Sequence, residues 1–390
     1  MSFVPFPECI QIRSDRVILR TAYEEIGFSG KKSAAQQANE ENLKANTPAG
    51  HINRKIRLKM NRIIHNWLES VKVAAASGRN YFNRHFTFVT LTLPAEQMHT
   101  DKELHSKALN RFIQHLKRKH KLINYLWRAE RQKNGNLHYH IICDTGIHWQ
   151  PLRSAWNDIM RDLGYIDKYR QNQQLHHSAG FRLHRDKLKY WPADKQLKAY
   201  QEGVSCNWSN PNSTDIHSLK KVKDVAKYIS KYCTKSDLVD ELQKVTKAHD
   251  ESQISLENFE IEKARLMQEI EATKINGRVW GCSDNIKELK DAKILECAEM
   301  YQLLQKIVDD QQTKAILRDE CQIYYCNNLQ KHLQSIPLLA NHVKKHHLKN
   351  YQQAYAPREK EPPKIDISFF LHPEPEPALS VWKPFNLGLF

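Results

Sequence analysis

Residues Asn136 to Asp144 set two histidines two positions apart in an otherwise apolar run: Leu137, Tyr139 and Ile141 alternate with His138 and His140. Side chains of a β-strand point alternately to its two faces, so this pattern predicts a strand with both imidazoles on one face. Two imidazoles rooted about 7 Å apart can converge on one divalent cation, because neutral imidazole offers a free lone pair. The run before it, Tyr125 to Gln132, reads as a partner strand, and Lys133, Asn134 and Gly135 read as the hairpin turn between them. A three-residue loop with Gly135 left-handed sets Glu130 directly opposite His138, on the same face and with Cβ atoms about 5 Å apart. A two-residue turn at Asn134 and Gly135 would instead shift the register by one and send Glu130 to the other face. The expected ligand set, Glu130, His138 and His140, therefore stands or falls with the register.

The chain of 390 residues carries 60 Lys+Arg against 44 Asp+Glu, a net charge of +16, with 20 His besides. That balance favours a polyanionic partner; a basic protein with no such partner is the alternative. No apolar run approaches the length of a membrane span, and the first residues lack the basic start and apolar core of a secretory signal. Eight cysteines with no Cys-x-x-Cys spacing read as free thiols in a reducing cytoplasm.

Three regions are expected: residues 1–75, a basic N-terminal arm and amphipathic helix; 76–335, the main domain with a charged helical insertion at about 237–275; and 336–390, a basic then proline-rich tail. The first 50 residues read as a loosely ordered arm. Beyond them Ile56, Met60, Ile63, Trp67 and Val71 recur at helical spacing, with Arg54, Lys55, Arg57, Lys59 and Arg62 between them. That basic stripe suits a phosphate backbone or a solvated face. Phe86 to Pro94 is a buried strand by its β-branched and aromatic content. Leu104, Ala108, Phe112 and Leu116 mark a helix ending in four cations, Lys117 to His120, suited to its C-terminal dipole. Another helix runs from Leu152 to Leu163 and stops at Gly164. Residues 165–218 interleave aromatics with Lys, Arg and His in a loop-rich stretch, which fits either stacked bases with neutralised phosphates or ordinary core packing. From Ile286 to about Asn328 the chain reads as helical again.

A second constellation lies at Tyr228, Lys231, Tyr232 and Lys235. On a helix these positions form one stripe of alternating phenol and ammonium. A phenol titrates near pH 10 and is a poor nucleophile at neutral pH, and a neighbouring ammonium or a metal-polarised phosphate helps it attack.

With both constellations in view, the chain resembles the rolling-circle replication initiators of the HUH endonuclease superfamily. Phe88 to Pro94 is similar to the first motif of that family, His138-Tyr139-His140 to its two-histidine motif, and Tyr228 to Lys235 to its nucleophile motif. Tyr139 departs from the pattern, which usually has an aliphatic residue there. The paired tyrosines resemble the two-tyrosine initiators of single-stranded DNA phages and some plasmids. The resemblance, over about residues 80 to 290, implies an α+β fold with a central antiparallel sheet and flanking helices. It also implies Mg²⁺ or Mn²⁺ on His138, His140 and Glu130, where some members place a third ligand. The implied reaction is attack by Tyr228 or Tyr232 on origin DNA, with Lys231 and Lys235 offsetting phosphate charge, leaving a 5′-phosphotyrosine link and a free 3′-OH. Arg54, Lys55, Arg57, Lys59, Arg62, Arg128 and Lys227 are the expected contacts to single-stranded DNA. A host helicase and DNA polymerase, in a bacterial cytoplasm, are the implied partners.

The same chemistry would serve a transposase or relaxase, and a non-catalytic basic DNA-binding protein is the reading from a different class. Gly30, Lys31, Lys32 and Ser33 do not complete a Walker phosphate loop, which needs an earlier glycine, so no helicase activity is expected.

Overall fold

The computed structural model describes residues 7–13, 16–21, 50–52, 54–78, 86–218, 238–251, 253–295, 297–318 and 321–356. Their strands are β1 (Pro7–Ile12), β2 (Arg16–Thr21), β3 (Thr87–Thr92), β4 (Tyr125–Arg131), β5 (Leu137–Cys143), β6 (Thr214–Ser218), β7 (Trp280–Cys282), β8 (Ala292–Leu295), β9 (Lys314–Arg318) and β10 (Cys321–Tyr325). They form two antiparallel sheets, ordered β6-β3-β5-β4-β7 and β8-β1-β2-β10-β9. The architecture is the expected α+β class, with flanking helices and one sheet more than the sequence suggested. All of these elements belong to one compact unit, Met1–Tyr355.

The histidine strand β5 is the central strand of the first sheet. Its apolar face buries Tyr139 and Ile141 beside Val89, Leu91, Trp127 and Ala129. Against that face lies a helix in three segments, Asp101–Glu103, Leu104–Leu109 with a wider π turn, and Asn110–His120. Its start is fixed by a capping box, in which Glu103 N donates to Thr100 Oγ1 and Thr100 N donates to Glu103 Oε2. Its end carries the four cations Lys117 to His120 before Lys121 turns left-handed. From the π segment, His105 reaches Tyr139, with Nδ1 3.3 Å from the phenol oxygen, so the ring that departs from the aliphatic pattern is buried and has a polar partner.

The helix Arg54–Ala76 forms where the apolar spacing predicts, with Met60, Ile63, Ile64 and Trp67 buried. It packs on the other face of the sheet: Lys59 Nζ lies 5.9 Å from the ring centre of Trp280, and Trp280 stands opposite Arg128 in the β4–β7 register. The expected insertion is helical, as Leu238–Asp250 and Leu256–Thr273.

Four expectations are corrected. Residues 7–12 and 16–21 are paired strands rather than a loose arm, because Ile10, Ile12, Val17 and Leu19 alternate inward. The stretch from Ile286 to Asn328 holds β8, β9 and β10 around one helix, Ala298–Asp309; strands of four or five residues are too short to show a period among so many charges. Residues 165–209 contain helices Tyr165–His176 and Ala193–Ser205 and are not mainly loop. The beginning of the expected tail is a helix, Pro337–Tyr355, buried along Leu339, Val343, His347, Asn350 and Ala354. His347 and Asn350 interrupt that buried stripe with polar side chains, which hid its helical period.

Candidate metal centre

Register decides this site, and the hairpin supplies the register that ligation needs. Gln132 N donates to Asn136 O and Gly135 has φ +82°, so Lys133, Asn134 and Gly135 form the three-residue loop. Glu130 then pairs with His138, and Arg128 with His140. The base of the hairpin is tied to the helix start by buried Asp101, which accepts from Arg131 Nη2 at 2.7 Å and Gln97 Nε2 at 2.8 Å. Gln97 Oε1 in turn accepts from Leu137 N. A slip of one residue would break every one of these bonds.

On the opposite side β3 pairs Thr90 with His140 and Thr92 with His138. Each hydroxyl lies 3.2 Å from Nδ1 of its histidine. Across the sheet this gives one row of Asp215, Thr90, His140 and Arg128, and beside it a row of Thr92, His138 and Glu130. His140 Nε2 contacts Glu130 Oε1 at 2.9 Å, diagonally across the strands. Donor atoms of Glu130, His138 and His140 all fall within 4.8 Å of one another. Phe88 stacks on His140, with ring centres 5.4 Å apart, and gives the cluster an apolar floor.

Burial drives the electrostatics. Desolvation first, then the charge of His140, push the His138 imidazole down to about 4 against the opposing pull of Glu130. For Glu130, burial opposes ionisation, but the hydrogen bond to His140 and the charges of His140, Arg128 and His138 prevail and hold the carboxyl down to about 2. At neutral pH His138 is thus neutral and Glu130 ionised, the protonation states that metal ligation requires. With Nδ1 of each histidine occupied by a threonine hydroxyl, its Nε2 is the atom left to face a cation. Two imidazole nitrogens, one carboxylate oxygen and open positions beyond them fit a divalent ion that must also bind phosphate oxygens.

The remaining candidates are placed as follows. Arg128 is buried in the site row, where its charge stabilises the Glu130 carboxylate. Arg57 and Arg62 are half-buried on the basic helix, and Lys59 covers Trp280. Arg54 and Lys55 open that helix. Tyr228, Tyr232, Lys227, Lys231 and Lys235 fall in residues 219–237, outside the described residues. Thr90 and Thr92 were not singled out from the sequence, although their two-residue spacing matches that of the histidines. A second convergent group among the described residues, Asp310, Cys326 and His332, lies by the other sheet. There Asp310 already accepts from His332, Asn328 and Cys326.

Residues 86–237 match the family model of the replication-associated protein ORF2. The matched segment holds β3, the hairpin and all three members of the cluster, and it suggests a role in DNA replication. No curated protein and no solved structure matches the chain. No described helix is long and apolar enough to cross a membrane.

Proposed function

We propose that this chain nicks and rejoins single-stranded DNA at a replication origin, initiating rolling-circle replication. The observation that carries the reading is the convergence of Glu130, His138 and His140 on one sheet face inside the segment that matches a replication-associated family. Mg²⁺ or Mn²⁺ held by these three residues would supply Lewis-acid polarisation of the scissile phosphate. Thr90 and Thr92 keep the proton of each histidine on Nδ1 and so keep the Nε2 lone pairs directed at the site. Arg128 keeps Glu130 ionised.

The phenol oxygen of Tyr228 or Tyr232 attacks phosphorus as the P–O3′ bond breaks. The phenol loses its proton to solvent, the leaving oxygen gains one, and the strand is left with a 5′-phosphotyrosine and a free 3′-OH. Lys231 and Lys235 offset phosphate charge. The second tyrosine can then cut the regenerated origin while the first still holds the old end. A host helicase would open the duplex and a DNA polymerase extend the 3′-OH.

The test is incubation of the purified chain with single-stranded origin DNA and Mn²⁺, followed by denaturing electrophoresis. A covalent protein–DNA adduct is expected for wild type and for at least one of Tyr228→Phe and Tyr232→Phe. It should vanish in the double variant and in His138→Ala/His140→Ala. Binding of the origin strand without any adduct would leave a non-catalytic DNA-binding protein.

A further inference from the structure

Between β5 and β6 the core crossover is the helix Trp149–Asp162, with Leu152, Trp156, Ile159 and Met160 buried. Beyond it the chain builds an outlying lobe over residues 165–209, which holds eight Lys and Arg against four Asp and Glu. This lobe encloses a cavity of about 150 Å³, roughly ten times what one water requires. Rings of His177, Phe181, Trp191, Tyr200 and Trp208 wall it, and the exposed cations Arg182 and Lys187 line it too.

The rings are held in place by devices that a merely apolar cluster would not need. Gln196, 2 % exposed, donates to His184 O and Trp191 O and accepts from His184 N, so one amide pins the loop that carries Trp191. Asn207 and Trp208 both adopt left-handed backbone, with φ +48° and +49°, a conformation costly for residues with a Cβ. Trp208 then rests on the backbone of Gly203, where an added Cβ would meet the indole nitrogen at 2.3 Å. His177 lies nearly parallel to Trp208 and Phe181, at interplanar angles of 8° and 11°. Flat faces, an open cavity and unburied cations do not amount to a core: Phe181 remains 38 % exposed. Nor do these histidines form a metal site, since their donor atoms do not converge.

The geometry points to a binding pocket for one unpaired nucleobase of single-stranded DNA, stacked against Trp191 and Tyr200 with its phosphate on Arg182 and Lys187. Every base has a π face, so such a pocket grips a strand without reading its sequence. The assignment rests on the strand-transfer reading above and adds a grip on the strand outside the metal cluster.

The test uses the full chain and a fluorescein-labelled oligothymidylate, with affinity read by anisotropy across a salt series. Trp191→Ala and Tyr200→Ala should each weaken binding about tenfold, within the range for loss of one stacked base. Trp191→Phe and Tyr200→Phe should retain most of the affinity. The aromatic variants should leave the salt dependence unchanged, whereas Arg182→Ala and Lys187→Ala should each lower the slope of log K against log salt by about 0.7. Binding to a fully paired duplex should be indifferent to the aromatic changes. Alanine variants that melt like wild type and bind within twofold of it would overturn the pocket, as would phenylalanine variants as weak as the alanine ones. Those outcomes leave the strand-transfer reading standing, because the Mn²⁺-dependent adduct is scored separately. Wild-type protein that binds no single strand would remove both.

Discussion

His138 shows how strongly a single buried ligand can tie stability to pH. Its imidazole is pushed down to about 4, while a histidine in an unfolded chain titrates near 6.5. Between those values the unfolded chain binds the extra proton, so stability is fully present above about pH 6.5 and is lost as pH falls towards 4, by up to about 3 kcal/mol. Glu130, held down to about 2, adds a second loss beginning near its ordinary value of 4.5. Thermal melts of the metal-free chain should therefore shift downward from pH 7 to pH 5. His138→Gln should flatten that dependence, and a variant with the wild-type slope would refute the assignment. The threonines make a separate prediction: Thr92→Val should weaken Mn²⁺ binding by roughly tenfold in calorimetry, the usual scale for losing a group that orients a ligand. Equal affinities would mean the hydroxyl orients nothing. The histidines were legible in the sequence because alternation with apolar neighbours is a strong local signal. Thr90 and Thr92 were not, since threonine is ordinary in any strand, and the diagonal contact from Glu130 to His140 depends on rotamers that no spacing reveals.

At the scale of elements, the candidate site rests on a loop of three residues. Nothing lies within 4 Å of the position a Cβ would take on Gly135, so the cost of substitution there comes from its φ of +82° alone. Gly135→Asn, which tolerates the left-handed region, should unfold in urea close to wild type. Gly135→Val should lose roughly 1–2 kcal/mol and bind Mn²⁺ more weakly, because relaxing the turn moves Glu130 off His138. Valine and asparagine variants of equal stability would show that the turn does not set the register. That register was readable because a loop of this length with a terminal glycine has few backbone solutions. The opposite holds for β8, β9 and β10, each four or five residues long and interspersed with lysine and acid. Their inward residues, such as Ala292 and Ile294, become a pattern only once a partner strand is known.

Across the whole molecule, partner strands come from opposite ends of the chain: β1 pairs with β8, and β2 with β10. No local period encodes a pairing of that separation, which is why the N-terminal strands read as a loose arm. Two buried clusters result, one under the histidine sheet and one under the second sheet, and the helix Pro337–Tyr355 serves both. Leu339 and Val343 enter the second cluster, Ala354 the first, and Tyr355 accepts a hydrogen bond from Trp67. Asp291 is the polar counterpart of that helix. It accepts two bonds from Arg13, beside β1, and a third from Asn66 on the helix over the histidine sheet. Its side chain is 5 % exposed and that of Arg13 13 %. Removing one partner of a buried pair leaves the other charge uncompensated, so Asp291→Ala should cost roughly 3 kcal/mol. The cost falls on the link between the two clusters, and this gives the variant a signature beyond lower stability. Wild type should unfold in one transition by every probe. Asp291→Ala should lose the second sheet first, so that Mn²⁺ binding by the histidine cluster survives to higher urea than the secondary structure seen by circular dichroism. Coincident transitions in the variant would show that the helix Pro337–Tyr355 alone is enough to make the two clusters fold as one.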